Sequence, residues 1–340
     1  MSDTPLNVVR ADGKVGLKVI TQSSMRSFRA CPRRYFYSYV LGIRPIRTDE
    51  PLRFGTLWHL MREEWWKTLD LEHVLFMVPE PNEEFDEFVI AKLKAMLVGY
   101  HARYKDFAAS IEVVAIEDKF AIPLVNPRTG RTSRLFEVRG MFDLVFREQG
   151  QLWIGEEKTA AAGLTPESPY WRRLEMDPQC SVYYDAATTK YKEAPYGVRY
   201  VVNVKTSKRP LKATAEIKMT KPTKKDPEPR PYAGQRLVDE TADEFYDRII
   251  ADIAEKPDVY FRMVDVPRSD KDVFESKCDV WDTARAIHEA EKSGIWLRNP
   301  DACVHPFGSS CSYLPVCTGR ASLYDTMQYR QTETQHEELA

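Results

Sequence analysis

Long apolar runs are missing from this chain. No window approaches the roughly 18 uninterrupted apolar residues of a membrane-spanning helix. The first residues, MSDTPLNVVRADGK, also lack the basic and then apolar pattern of a secretory signal peptide. The first absence argues against a membrane protein and the second against a secreted one. We therefore expect a soluble, intracellular protein.

An excess of either charge is missing as well. Lys and Arg number 49 and Asp and Glu number 51, so the net charge is −2. This balance excludes a histone-like polycation, although it is compatible with a local basic groove. At 43% hydrophobic and 29% charged residues, the composition is that of a globular protein. A chain of 340 residues needs no disulfide or metal merely to fold, and its length allows about two domains.

Cysteine is scarce and unevenly placed. The six cysteines are Cys31, Cys180, Cys278, Cys303, Cys311 and Cys317. In an intracellular protein we expect reduced thiols or metal ligands rather than disulfides. The last three lie on a proline-rich stretch and need a fourth ligand to complete a metal site. His305 would complete a zinc site, whereas Cys31 would join the two ends of the chain. We expect Cys180 and Cys278 to be ordinary buried thiols.

Apolar residues at helical spacing predict a mainly helical first part. The expected elements are a possible strand at 15–21, a helix at 23–42, a helix from 56, an acidic loop at 78–88 and a helix to about 104. Ser23 or Ser24 is expected to cap the first of these helices, and Gly55 to precede the second.

The apolar pattern then changes to the alternation that is typical of strands. The expected elements are strands at 112–124, 135–148 and 152–159, a helix from 178, a strand at 197–206, and helices at 238–256 and 269–294. Short turns indicate an antiparallel meander, and Asp177 and Pro178 form a good helix start. This order indicates a mixed α+β or α/β domain. We expect the polar tail after about Tyr324 to be mobile.

Two acidic residues and a lysine stand out on neighbouring predicted strands. A short turn lets Asp143 approach Glu156 across a hairpin, and alternation puts Glu156 and Lys158 on one face with Glu157 opposite. Such a group is costly in a core but suits a divalent cation, which takes oxygen ligands. A nearby lysine can then orient or help deprotonate a water molecule. A solvated cross-strand charge pair is the alternative.

The acid-x-Lys triplet alone is weak evidence because it occurs five times, starting at Asp12, Glu117, Glu156, Glu216 and Glu275. Only the third copy follows a strand with the spacing Gly-x-x-Asp. That pair, GMFD at 140–143 and EEKT at 156–159, resembles the core of the PD-(D/E)XK nuclease superfamily, in its RecB-like branch. Three more motifs match that branch in the same order over residues 23–320. They are CPRRYF at Cys31 with the C-terminal cysteines, FGTLWH ending at His59, and Gln179-x-x-x-Tyr183.

The resemblance implies a restriction-endonuclease-like α/β core with a mixed central sheet, in a single nuclease domain, 1–340. Its expected parts are an N-terminal helix with the first cysteine at 23–55, a helical block at 56–110, the catalytic core at 111–206, a basic flap at 207–235, a helical region at 236–298, a Cys-rich segment at 299–320 and a polar tail at 321–340.

The resemblance also implies roles for the polar residues. Asp143, Glu156 and the imidazole of His59 are implied as ligands of Mg²⁺ or Mn²⁺, with the backbone carbonyl of Glu157 as a further oxygen. Lys158 is implied to act on the attacking water and the phosphate. Without the resemblance, a lone histidine on a tryptophan-rich helix indicates a packing residue.

Further residues are implied to position the site or to bind DNA. The resemblance gives Gln179 and Tyr183 a positioning role, and Tyr183 a contact with the strand; alone, they indicate a solvated and a core residue. Arg26, Arg33 and Arg34 are interleaved with aromatic residues, a pattern that suits single-stranded nucleic acid. The alternative is a helix with an apolar core face and a solvated basic face. The segment 205–231 has nine Lys and Arg against three Asp and Glu, and is either a flap over DNA or a solvated loop.

The cysteines match the resemblance too. RecB-like members often hold a [4Fe–4S] cluster with one cysteine before the helical block and three near the C-terminus. This implies Cys31, Cys303, Cys311 and Cys317 as ligands that clasp the two ends of the chain together. The gap of seven residues between the second and third of these is longer than in many members. A zinc site of Cys303, His305, Cys311 and Cys317 therefore stays as the alternative.

The implied function is that of a metal-dependent deoxyribonuclease, and more narrowly an exonuclease that prefers single-stranded ends in DNA recombination, repair or replication. No G-x-x-x-x-G-K-[ST] loop is present, so a helicase or recombination partner would be a separate protein. The rivals are a non-catalytic DNA-binding or assembly module that keeps the cluster, a CRISPR-adaptation-type nuclease, and a zinc-stapled protein without a nucleic-acid role. The expected location is the cytoplasm of a bacterium, or of the host if the protein is phage-encoded.

Overall fold

The structure is a computed structural model. It describes residues 16–46, 50–160, 165, 168–222, 228–230, 232, 234–304 and 310–339. His305, the alternative zinc ligand, lies outside the described residues. Within them, no helix combines the length and the apolar character that crossing a membrane requires.

Strands and helices follow the predicted order. The strands are β1 (Lys18–Ile20), β2 (Ile43–Pro45), β3 (Glu112–Val125), β4 (Thr132–Glu148), β5 (Gln151–Ala160), β6 (Gly197–Val204), β7 (Phe261–Val266) and β8 (Tyr329–Gln331). The α-helices are α1 (Gln22–Ala30), α2 (Pro32–Tyr35), α3 (Glu50–Thr68), α4 (Leu71–Met77), α5 (Glu87–Ser110), α6 (Pro169–Glu175), α7 (Pro178–Tyr191), α8 (Ala242–Glu255), α9 (Pro257–Tyr260), α10 (Asp270–Ser293) and α11 (Leu314–Cys317). A π-helical turn, Phe36–Val40, continues α2.

A mixed sheet of six strands forms the centre of the fold. The strands β3, β4 and β5 form the expected antiparallel meander, β6 runs parallel to β5, and β7 runs antiparallel to β6. The predicted α/β class with a mixed central sheet is confirmed. The sequence prediction missed β7, because its six residues include Arg262 and Asp265 and lack the clean alternation of β3.

Helices cover both faces of the sheet, and each face has its own hydrophobic core. One core lies beneath α1, α7 and α10 and includes Val182 and Ile287. The other lies beneath α3, α5 and α8 and includes Trp58, Leu93 and Phe245. A sheet covered on both faces is buried in its middle, and β6 is accordingly buried along its whole length.

One edge of β4 is divided between two neighbours. This edge pairs with β5 over residues 144–148 and with the parallel strand β1 over residues 136–138. The other edge pairs with β3 almost throughout. Residues 139–143 therefore lie where β1 and β5 separate, and Asp143 is at the end of the β5 pairing. A gap of this kind leaves room for side chains from both helical layers to reach the sheet.

The N-terminal helix differs from the prediction. Thr21, rather than Ser23 or Ser24, caps α1, in a capping box with Ser24. The predicted single helix is also broken, because extended backbone at Cys31 ends α1 and Pro32 opens α2 at a position that proline favours. Cys31 therefore lies in the break between two helices.

The start of α3 also differs from the prediction. The helix begins at Glu50, so Gly55 lies inside it. A Cβ atom on Gly55 would lie 3.3 Å from Thr159 Oγ1, which shows that glycine allows α3 to approach the end of β5 closely. This approach brings His59, one turn later on α3, toward the polar residues of β5.

The expectation of a mobile tail is wrong where the chain forms β8, which pairs antiparallel with β2. Tyr329 of β8 is buried and stacks on Tyr313 with ring centroids 5.8 Å apart. The Thr21 hydroxyl donates to Glu338 Oε1 at 2.6 Å. The polar composition of this segment gave no sign of these contacts in the sequence. They join the C-terminal segment to the N-terminal part of the chain.

The basic segment forms no helix in its described residues, 205–222 and 228–230. It folds back on the residues that precede α8: the Leu211 amide donates to Glu240 Oε2 at 2.7 Å, and the Lys218 amide to Gln235 Oε1 at 2.6 Å. These bonds anchor the part of the segment that the sequence predicted as a flap.

Candidate active site

Strands β4 and β5 bring the predicted carboxylates and lysine together. The Glu157 amide donates to Asp143 Oδ2 at 2.8 Å, and the Lys158 ammonium forms an ion pair with Glu156 Oε1. Glu156 is buried, whereas 35% of the Lys158 side chain is exposed. The approach of Asp143 to β5 across the hairpin, and the shared face of Glu156 and Lys158, both agree with the sequence prediction.

Helix α7 adds an amide and a phenol to this group. Asp177 caps the helix and Pro178 is its first residue, as predicted. Gln179 Nε2 then donates to Glu156 Oε1 at 2.7 Å and to the Tyr183 hydroxyl at 2.9 Å. Because residues four apart share a helix face, both side chains of this motif reach the sheet from α7.

Helix α3 contributes His59 from the opposite layer. Burial lowers its pKa to about 4, against an upward influence from Asp143 and with further downward influences from Arg62 and Lys158. These influences indicate that the imidazole lies within electrostatic reach of Asp143 and Lys158. At neutral pH the ring is therefore uncharged, which is the form that binds a metal ion.

A second layer of charges lies behind this group and was not predicted. Arg62, fully buried, lies 2.9 Å from Glu117 Oε1 and 3.4 Å from Glu157 Oε2. The Glu157 carboxylate also accepts from the Tyr100 hydroxyl at 2.5 Å and from Asn203 Nδ2 at 3.0 Å. The Glu157 side chain therefore holds β5 on the face toward Arg62 and Tyr100, while the Glu157 backbone amide binds Asp143. The available signal was Arg62 itself, three residues after His59 and on the same helix face.

Glu117 lies opposite Asp143 on β3 and has an unusual backbone. Its φ is +48°, in a region that residues other than glycine adopt rarely. The neighbouring pairs are Ile116 with Leu144 and Asp118 with Phe142. Phe142 and Leu144 nevertheless lie in the cores of opposite faces, so alternation breaks at Asp143. Burial, followed by the charge of Asp143, raises the pKa of Glu117 to about 7.

The pKa values of the two site carboxylates, Asp143 and Glu156, are shifted in opposite directions. Burial opposes the charge of Asp143, but Arg62 and Lys158 outweigh it and lower the pKa. Burial and the charge of Asp143 raise the pKa of Glu156 to about 8. Burial also opposes the charge of Lys158, but Glu156 and Asp143 raise its pKa, so the ammonium keeps its proton. The pKa values of these two buried carboxylates are therefore shifted in opposite directions.

The chemistry of these groups fits a divalent cation. Glu156 Oε2 is buried and has no hydrogen-bond partner among the described residues. Carboxylate oxygens and a neutral imidazole are ligands that Mg²⁺ and Mn²⁺ accept. Within the described residues, however, no three His, Cys, Asp or Glu side chains are already arranged around one metal position. The ammonium of Lys158 pairs with Glu156 instead, so cation binding requires these side chains to shift.

The four cysteines implied as cluster ligands lie near enough to influence the pKa of Cys303 and Cys317, although in the described residues no three of them are arranged around one metal position. Burial raises the pKa of Cys303, and the neighbouring thiols of Cys311 and Cys31 raise it further. The pKa of Cys317 is likewise raised by burial and by the other three thiols. All six cysteines of the chain are free. As predicted, Cys180 is buried, but Cys278 is only partly buried, because it lies away from the buried stripe of α10.

Of the three arginines predicted to bind DNA, the structure places only Arg26 next to the candidate site. Arg26 of α1 is 61% exposed, lies 3.9 Å from Asp177, and influences the pKa of Lys158, so it borders the site. Arg33 Nε instead donates to the Trp296 carbonyl at 2.9 Å, and Arg34 Nε to Ser27 Oγ at 3.3 Å. The structure thus brings the first arginine to the carboxylates and ties the other two to other parts of the chain.

The pKa values show a further residue at the site that the sequence prediction missed. Burial raises the pKa of Tyr170, with Lys158 acting in the opposite direction and Glu156 and Asp177 adding to the rise. Tyr170 lies on α6, which follows β5. An aromatic residue after the third strand of the meander carried no distinctive spacing in the sequence.

One protein family matches most of the chain. The PD-(D/E)XK nuclease superfamily matches residues 19–318, whereas no curated protein matches the chain. A solved structure described as "Putative exonuclease" from Eubacterium rectale is similar at 10% identity over 84% of this chain and 85% of that one, with a TM-score of 0.45. The structure of SSO0001 is similar at 12% identity over 79% and 76%, with a TM-score of 0.30. The chain belongs to the PD-(D/E)XK nuclease superfamily, whose members generally use divalent metal ions.

Proposed function

We propose that this nuclease is a Mg²⁺- or Mn²⁺-dependent deoxyribonuclease. More narrowly, we propose an exonuclease that prefers single-stranded ends and works in DNA recombination, repair or replication. The observation that supports the proposal is one continuous group of polar contacts from three elements. Asp143 of β4 is bound by the Glu157 amide of β5, and the adjacent residues Glu156 and Lys158 pair with each other, with Gln179 of α7 bound to Glu156.

Lys158 has the central role among the protein's own groups. Its ammonium stays protonated and partly exposed, so it can bind a non-bridging phosphate oxygen and stabilise the negative charge that develops there. Gln179 holds Glu156 through the 2.7 Å hydrogen bond. The Glu157 amide holds Asp143 at 2.8 Å. These contacts restrict both carboxylates before substrate arrives, which lowers the cost of ordering them during the reaction.

The residues that would hold the divalent ion are Asp143, Glu156, His59 and the backbone carbonyl of Glu157. When bound, the ion would supply charge stabilisation at the phosphate and a more acidic water molecule. His59 suits this role because its imidazole is neutral at the pH of the cell. Arg62 supports it by lowering the pKa of Asp143.

We also propose that Cys31, Cys303, Cys311 and Cys317 hold a [4Fe–4S] cluster, as in the RecB-like branch. The support is that the pKa of Cys303 and the pKa of Cys317 are both influenced by the other thiols of this set, Cys31 among them, so cysteines from both ends of the chain lie near one another. Beside them, the Arg33 amide donates to the Leu297 carbonyl at 2.9 Å. The cluster would act as a clasp between these ends. Anaerobic purification should give brown protein with iron and sulfide, and stoichiometric zinc in colourless protein would contradict the cluster.

Digestion of end-labelled DNA tests the nuclease proposal. The variants Asp143→Ala, Glu156→Ala and Lys158→Ala should each lose cleavage by more than about 100-fold, the scale of a lost acid, base or charge-stabilising group. Single- and double-stranded substrates with Mg²⁺ or Mn²⁺ would give the end preference. Glu275→Ala is the matched control, since Glu275 is exposed and begins another acid-x-Lys triplet, on α10. Cleavage by all three variants at the parental rate would contradict the site.

A further inference from the structure

A basic groove lies between the end of the β3–β4 hairpin and α10. Its volume is about 800 Å³. One wall comes from Asn126, Thr129 and residues 131–136 of the hairpin, and the other from Trp281, Arg285 and His288 of α10. The groove is distinct from the candidate active site, since none of its lining residues belongs to that site.

The charges of this groove have one sign. Arg131, Arg134 and Arg285 line it together with His288, and no aspartate or glutamate is among the described residues that line it. Within the described part of the chain, Arg131 and Arg134 have no acidic partner. Arg285 pairs with Asp282 at 3.0 Å on the exposed surface of α10. A concave surface with unneutralised guanidinium groups attracts a polyanion.

The groove also offers apolar surface and neutral hydrogen-bonding groups. The accessible apolar surface comes from Leu135, which is 45% exposed, and from the partly buried Trp281, whereas Phe136 is buried although it also lines the groove. Thr132 and Ser133 lie beside them on β4. Cations for phosphates next to flat apolar surface for bases is the combination that proteins use to hold single-stranded nucleic acid. An acidic peptide would also bind the arginines, but it would gain less from the apolar surface of the groove.

Strand β4 connects the groove to the active site without interruption. From Arg134 to Asp143 there are nine steps of about 3.3 Å, so the groove begins roughly 30 Å from the carboxylates. At about 3.4 Å per nucleotide of a stacked strand, that distance corresponds to about nine nucleotides. A stacked oligonucleotide much shorter than this does not reach both places.

We propose that this groove holds the single-stranded part of the DNA substrate, about nine nucleotides from the bond that is cut. The inference rests on the proposed function and extends it, because it assigns a second contact that sets the preferred substrate length. Binding in the groove strengthens the affinity for long strands and does not alter the chemistry on short ones.

The test compares Arg131→Ala/Arg134→Ala with the parent on 5′-labelled single strands of about 6 and about 24 nucleotides, lengths chosen below and above the nine-nucleotide distance. Arg128→Ala is the matched control, since Arg128 is exposed on the same hairpin but does not line the groove. Affinity is measured by fluorescence anisotropy over a series of salt concentrations, and cleavage by gel electrophoresis.

The double variant should bind the long strand at least about tenfold more weakly, and the slope of log affinity against log salt should fall by about 1.4, or 0.7 for each lost phosphate contact. It should cut the short strand at the parental rate. Unchanged affinity and slope, or an equal loss on both lengths, would overturn the groove. A parent that binds the long strand but cuts nothing would instead overturn the proposed function.

Discussion

Replacing Arg62 with methionine removes the positive charge at the centre of the buried second layer. The guanidinium is fully buried and compensates both Glu117 and Glu157. Removing one partner of a buried ion pair costs roughly 3–5 kcal/mol, because the remaining charge has lost both water and its partner. The variant should therefore unfold at a clearly lower urea concentration than the parent. The pKa of Asp143 should also rise, because Arg62 is the strongest influence that lowers it.

Urea unfolding at pH 7 in metal-free buffer, followed by tryptophan fluorescence, measures this effect. The double variant Arg62→Met/Glu157→Gln removes both charges, and should be more stable than the sum of the single changes by roughly 0.5–3 kcal/mol. Arg147→Met is the control, since its pair with Glu193 lies on the surface, where water screens the charges. An unchanged unfolding midpoint for Arg62→Met, or strict additivity with Glu157→Gln, would refute the proposed role of this ion pair.

Three further outcomes follow from the site. Raised pKa values of about 7 for Glu117 and about 8 for Glu156, against 4.5 ordinarily, mean that the folded metal-free chain binds more protons than the unfolded one. Its thermal stability should therefore fall from pH 7.5 to pH 8.5. In this range His59, with its pKa lowered from 6.5 to about 4, is almost entirely neutral in both states and contributes little. A flat or rising profile contradicts this. Cys31→Ala should give colourless, less stable protein by visible spectroscopy, and a brown variant would exclude Cys31 as a ligand. Tyr183→Phe removes a hydrogen bond of about 1 kcal/mol, so single-turnover cleavage should slow by up to about tenfold; complete inactivation would indicate a larger role.

The sequence was sufficient to predict most of the fold, because alternation, caps and turns are local signals. Asp177 and Pro178 start α7 as predicted, and the meander β3–β4–β5 follows from alternation and short turns. Gly55 misled the prediction, since it serves a close contact with β5 instead of preceding a helix. The pairing of β2 with β8 also escaped, because partners far apart in the chain leave no local pattern.

The part of the candidate site on β5 could also be predicted from local signals. Alternation alone puts Glu156 and Lys158 on one face, while the resemblance was needed to add His59. The buried layer behind it could not be predicted, since Arg62 and Glu117 meet only after α3 has packed on the sheet. A charged residue on a helix or strand usually faces water, and no spacing distinguishes one that is buried with a partner.

Manganese binding tests most directly the central claim that Asp143, Glu156 and His59 serve one divalent ion. Electron paramagnetic resonance of free Mn²⁺ counts the ions that the protein removes from solution, without requiring DNA or turnover. We predict that the parent and Glu275→Ala bind Mn²⁺ equally, and that Asp143→Ala and Glu156→Ala each bind it at least about tenfold more weakly, the loss of one ligand charge. Equal Mn²⁺ binding by all four proteins would contradict the claim.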